Sequence, residues 1–169
     1  FGSSRLAEIV VIQSHAAPRV DAFSAMAHAL DHLHSAWAVE QAVNWEESKV
    51  VLVRFGHDYD PECALMDEVL LESRASPSLR AACSVYLVDI SEVPDFTQQY
   101  ELYDPCTVMF FFHGRHLQLE LGLGDRYKIT WPLSGLQELT YIIEAVHRGA
   151  QQGRDLIVAS RDCSLTYRF

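Results

Sequence analysis

Apolar positions gather into three nearly unbroken runs, and segments of helical period lie between them. Lys49-Val50-Val51-Leu52-Val53-Arg54-Phe55 is the first run. It is β-branched and apolar on alternate and intervening positions alike, as a strand covered on both faces requires. Ser84 to Ile90 and Thr107 to Phe112 are two more such strands. His116 to Leu121 instead alternates polar and apolar, the mark of a half-exposed edge strand, and His113-Gly114-Arg115 before it reads as a hairpin turn. Ser35 is placed to cap a short helix through Trp37, Val39, Ala42 and Val43. Asp60 followed by Pro61 reads as N-cap and first helical residue, with Leu65, Met66, Val69 and Leu70 at helical spacing beyond. That helix is predicted to stop before Ser76-Pro77. A short polar helix is expected from Phe96 to Tyr103, after Pro94, and Asp104-Pro105 then makes a turn. Ser134 is expected to cap the last helix, with Leu136, Leu139, Ile142, Ile143 and Val146 inward and Gly149 and Gly153 loosening its end.

The order is therefore helix, strand, helix, strand, helix, strand, strand, helix. Two β-α-β crossovers imply parallel pairing, and the closing hairpin is antiparallel. This is the thioredoxin order: an α/β fold with a mixed four-stranded central sheet and helices on both faces. Residues 1–25 differ, rich in Ala, Ser and His and interrupted by Pro18. They read as a weakly structured extension, in which Ala7 to Ile12 would suit a short added strand, ahead of a domain over 26–169. The stretch from Arg154 to Phe169 shows little pattern.

At 169 residues, 49% apolar and 21% charged, the chain can bury one full core. Its net charge of −10 argues against broad charge-driven binding of nucleic acid. No apolar stretch reaches the length of about 18 to 20 residues that a membrane helix needs, so no membrane role is expected. The Leu6 to Ile12 run is short, broken by Glu8 and preceded only by Arg5, which is unlike a signal peptide. Four cysteines, Cys63, Cys83, Cys106 and Cys163, include no Cys-x-x-Cys pair, which removes the usual dithiol and zinc-knuckle motifs. Their sparseness fits a reducing compartment.

His32-Leu33-His34 with Trp37, Arg54-Phe55-Gly56-His57-Asp58 and Asp60-Pro61 carry a family resemblance. So do Met66 to Leu70, Tyr86 to Ile90, Glu92 to Phe96, Tyr100 to Phe112, Arg148-Gly149-Ala150, Gly153-Arg154 and Tyr167-Arg168. From Met26 to Phe169 the chain resembles the thioredoxin-like protein 4 family, small proteins of the spliceosomal U5 snRNP. It departs from that pattern in the 25-residue extension, in Glu72 to Cys83 and in Asp125 to Gln137. The resemblance implies a nuclear protein of the U5 snRNP and the U4/U6.U5 tri-snRNP. It would dock between large splicing proteins before activation, with no cofactor and no small-molecule substrate.

In thioredoxins the strand-to-helix loop holds Cys-x-x-Cys after an aromatic residue. Here the loop is Tyr59-Asp60-Pro61-Glu62-Cys63. Asp60 stands in place of the attacking cysteine; it can cap the helix through the amide of Glu62 or Cys63, and it cannot form a mixed disulfide. Like-charge repulsion from Asp60 should also oppose a thiolate at Cys63. By resemblance Cys106 lies where thioredoxins carry a proline facing the active-site cysteines. Cys63 and Cys106 are then either a redox-sensitive pair or two small buried hydrophobes. His28, His32 and His34 suggest metal, but only Asp31 lies near, so hydrogen bonding by His32 and His34 and packing by Leu33 and Trp37 is the plainer expectation. His57 and Asp58 read as cap and turn residues, because no nucleophile or phosphate loop accompanies them. Glu92, Asp95, Glu101 and Asp104 form an acidic stretch that is either solvated or meets a basic partner. Arg148, Arg154, Arg161 and Arg168 are candidate contacts to partner carboxylates or RNA phosphate. Direct RNA reading by the sheet is disfavoured, since its aromatics lack interleaved Lys or Arg.

Overall fold

The structure is a computed structural model that describes residues 30–122 and 128–159. In chain order the elements are β1 (Asp31–His32), α1 (Ala36–Trp45), β2 (Val50–Gly56), α2 (Pro61–Ser73), α3 (Pro77–Ala82) and β3 (Cys83–Asp89). After a 3-10 turn come α4 (Pro94–Gln99), β4 (Cys106–Phe112), β5 (Arg115–Glu120), α5 (Leu136–Gln151) and β6 (Leu156–Val158).

The sheet runs β1-β3-β2-β4-β5-β6. The pleat sorts its side chains onto two faces. Val50 and Leu52 of β2 and Val108, Phe110 and Phe112 of β4 join the core beneath α2, α3 and α5. Val51, Val53 and Phe55, with Met109 and Phe111, join the opposite core under α1 and α4. Both faces are covered, which is why these strands read as continuous apolar runs.

Several expectations need correction. The four expected strands form the centre, but two short edge strands make the sheet six-stranded. β1 takes its place through parallel pairing of Asp31 with Tyr86, and β6 through Gln118 with Leu156. The first crossover gives parallel β2 and β3, but the second does not: β4 lies antiparallel on the other side of β2. Pro77 does not merely follow a helix end; Ser76 Oγ accepts from the Leu79 amide at 3.4 Å and Pro77 begins α3. α4 starts at Pro94 and stops at Gln99, before Glu101 enters the left-handed region at φ 52°. Gly135, not Ser134, is the N-cap of α5; the Ser134 amide and hydroxyl instead donate to Glu138 Oε2 at 2.7 and 2.8 Å. His113 and Gly114 both have positive φ, as the tight hairpin into β5 demands. The strand expected over Ala7 to Ile12 lies outside the described residues.

Candidate functional site

β2 ends at Gly56 and the chain turns through His57-Asp58-Tyr59 into α2. Asp60 caps that helix: its Oδ1 accepts from the Glu62 amide at 2.8 Å. The Ala64 amide bonds to the Asp60 carbonyl, starting the helical ladder, and Pro61 sits at the first turn where its missing N–H costs nothing. Tyr59 is 82% exposed, and its ring stacks on His57 at 4.9 Å. His57 Nδ1 lies 3.0 Å from Asp89 Oδ1, so the loop is tied to the end of β3.

Cys63 and Cys106 are fully buried and carry free thiols. Cys63 Sγ donates to the Pro105 carbonyl at 3.3 Å and also meets the Cys106 thiol. Gly56 stands opposite Cys106 across the β2–β4 ladder. A Cβ there would fall 2.2 Å from Cys63 Sγ and 2.8 Å from the Pro105 oxygen, so only glycine lets the two strands and α2 approach this closely.

The Cys63 thiol is shifted opposite to the expectation, and by groups other than Asp60. The hydrogen bond from Cys106 and the positive charge of Arg54 hold the Cys63 thiol below its usual value despite burial. Cys106 is driven up, first by bonding to Cys63 and then by burial. One sulfur of the pair is therefore the better thiolate and the other its donor. Asp60 is occupied as a cap, and it is Asp67 that opposes the thiolate, weakly.

Arg54 escaped notice in the sequence and organises the site. Its side chain has no exposed surface. It faces α2, where its Nε and Nη2 donate to the two oxygens of Asp67 at 2.8 and 2.6 Å. Nη2 also reaches Asp58 Oδ1 at 2.8 Å, and the other Asp58 oxygen lies 2.9 Å from His32 Nε2 on β1. Asp58 thus sits in the expected turn, closed by the Asp60 amide on the His57 carbonyl, and also bridges Arg54 to His32. Burial pushes its carboxyl up, but the bonds from Arg54 and His32 outweigh that and hold it low. Asp67, set deeper, is pushed up by burial more than Arg54 pulls it down. Arg54 Nη1 has no partner among the described residues and would lie 3.7 Å from a Cβ on Gly56, on the side of the thiols. The readable signal is a guanidinium inside an apolar strand, which demands a buried carboxylate.

His34 pairs with Glu92, at 3.1 Å, rather than with a metal, and no metal-holding group of three or more His, Cys, Asp or Glu occurs among the described residues. Trp37, expected to pack, is 68% exposed. Arg148 and Arg154 are both exposed, one in the last turn of α5 and one just beyond it. Arg161, Arg168, Cys163 and His28 lie outside the described residues.

The family model described as "Mitosis protein DIM1" matches residues 29–163. The "Mitosis protein dim1" of Schizosaccharomyces pombe is 45% identical over 144 residues, 85% of this chain and 100% of that protein. The "Spliceosomal protein DIB1" of Saccharomyces cerevisiae is 39% identical over 133 residues, 79% of this chain and 92% of its own. Human "Thioredoxin-like protein 4B" is 37% identical over 136 residues, 80% of this chain and 89% of that one. Among solved structures, chloroplastic thioredoxin z aligns with TM-score 0.56 at 15% identity, covering 71% of this chain and 96% of that chain. The thioredoxin of Malassezia sympodialis aligns at 0.54 and 17%, covering 68% and 90%. At such identities these structures establish the thioredoxin fold alone.

Proposed function

This chain belongs to the Dim1 family, and from that membership we propose that it is a non-catalytic component of the splicing machinery. Relatives named as spliceosomal proteins support the splicing role. The finer reading is a nuclear protein of the U5 snRNP and the tri-snRNP that docks between large proteins before activation. Residues 26–169 would be the docking domain and 1–25 an extension. Arg148, Arg154, Arg161 and Arg168 are assigned as partner contacts, and RNA contact is minor at most. No cofactor or small substrate is needed for such a role.

The observation that carries the non-catalytic reading is the Asp60 cap. Thiol exchange needs a sulfur nucleophile at the helix start, and a carboxylate held by the Glu62 amide offers none. A second reading, thiol sensing, draws on the contact of Cys63 with Cys106 beside Arg54. Two measurements decide. The full chain used as bait in nuclear extract should recover U5 particles and large splicing proteins in moderate salt, and not bare RNA. Insulin reduction by the purified protein should stay at the uncatalysed rate. Turnover near that of a dithiol thioredoxin would reject the adaptor reading in favour of the redox one.

A further inference from the structure

The segment Glu72 to Cys83, where the family resemblance lapses, contributes nothing to the reading above. It carries Arg74, which closes α2, and Arg80, in the last turn of α3. With Lys49, just before β2, both line a cleft of about 180 Å³. Ser84 and Tyr86 of β3 and Asp31 of β1 supply other parts of its wall. None of the three cations forms an ion pair with a described residue. Three cations from separate parts of the chain, none paired among the described residues, thus line one cavity of a protein whose net charge is −10. Mutual repulsion makes such an arrangement unfavourable when empty, and an anion relieves it.

We propose that this cleft is an anion-binding site that receives one phosphorylated serine or threonine side chain of a partner protein. Its volume lies below the roughly 300–1,000 Å³ of drug-sized ligand pockets, which suits a single phosphate group. Three cations less the Asp31 carboxylate leave a charge of +2 on the wall. A phosphomonoester carries about −1.5 to −2 at neutral pH and three acceptor oxygens, which match two guanidinium forks and an ammonium. A single carboxylate would leave one cation uncompensated. An RNA strand fits worse: it needs a track of cations, and here Asp31 in the wall, and outside it the Glu46 carboxylate that accepts from the Ser84 hydroxyl at 3.3 Å, interrupt the positive charge.

The inference relies on the adaptor reading only for where the phosphorylated partner comes from; the binding itself is read directly. Full-length protein is titrated, by amide NMR shifts, with a short peptide carrying one phosphoserine and with its unphosphorylated twin. The phosphopeptide should bind at least tenfold more tightly, move the amides of Ser84 and Tyr86, and weaken as salt rises. Arg74→Gln with Arg80→Gln, at surface positions, should cut that affinity at least fivefold with an unchanged melting temperature. Equal binding of the two peptides, unaltered binding by the variant, or stronger competition by a uridine decamer would each overturn the proposal. Absence of the wild-type chain from splicing particles would instead reject the adaptor reading and leave the titration result standing.

Discussion

Replacing Asp67 by Asn tests whether the Arg54 network holds the fold together. Arg54 has no exposed surface, and two of its three bonds to carboxylates go to Asp67. Asparagine keeps the shape but removes the charge and turns an amide donor toward a guanidinium donor. The guanidinium cannot lose its proton and cannot reach water. Breaking a buried pair from one side costs about 3–5 kcal/mol. At about 2–4 °C per kcal/mol for a chain of this size, Asp67→Asn should lower the melting temperature by roughly 6–20 °C. Arg54→Met is the informative contrast. It fills the same space with apolar atoms and strands two carboxylates, but their side chains are 22% and 59% exposed and can be hydrated. Its cost should stay below about 2 kcal/mol, since apolar replacement of buried pairs is often tolerated. The pair of substitutions together should match Arg54→Met rather than the sum. Urea unfolding followed by circular dichroism measures all three. If Asp67→Asn is as mild as Arg54→Met, or the two costs add, the guanidinium is not the group that needs neutralising and the reasoning fails.

Gly56→Ala should destabilise the protein by about 1–3 kcal/mol, because the Pro105 oxygen 2.8 Å from the new Cβ is backbone and cannot swing aside; Cys63→Ala in the same chain should restore only part of this in denaturant titrations. His116 is half-buried against Tyr100 and Phe111, its Nε2 has no partner among the described residues, and burial followed by the nearby Lys128 charge pushes its pKa down to about 4. The unfolded chain therefore binds the extra proton between about pH 6.5 and 4, so stability should fall as pH drops through that window and His116→Phe should flatten the fall. Asp89 is held low first by the Ser91 hydroxyl, so Asp89→Asn should cost stability at neutral pH, and its difference from wild type should vanish as acid protonates the folded carboxylate, below about pH 4. Asp60→Cys restores two cysteines at the helix start and should raise insulin reduction clearly above the wild-type rate; equal rates would mean Asp60 is not what silences the loop. Arg148→Glu with Arg154→Glu should weaken particle recovery more than thermal stability, and unchanged recovery would discard those contacts.

What was legible in the sequence is what short-range physics decides. The strands at Val50, Cys83 and Cys106 follow from apolar runs of the right length, that at Arg115 from polar and apolar alternation, and the Asp60 cap from two adjacent residues, since its bond spans only to Glu62. β1 and β6 were hidden because two or three residues carry no period; register with β3 and β5 alone makes them strands. The direction of β4 was misjudged because a helix between two strands implies parallel pairing only if they are neighbours, and β2 lies between these two. The thiol chemistry was misjudged for the same kind of reason. Asp60 is close to Cys63 along the chain, but the groups that set its sulfur are the Cys106 thiol on β4 and the charge of Arg54 on β2, held by Asp67. With Asp60 at the cap, Cys63 still sits in a site that favours its thiolate. That sulfur is sealed from solvent, so a lowered thiol pKa does not by itself make it an accessible nucleophile. With its carboxylate engaged by the Glu62 amide, Asp60 caps the helix beside an outward-facing Tyr59, and the docking role proposed above would use that surface.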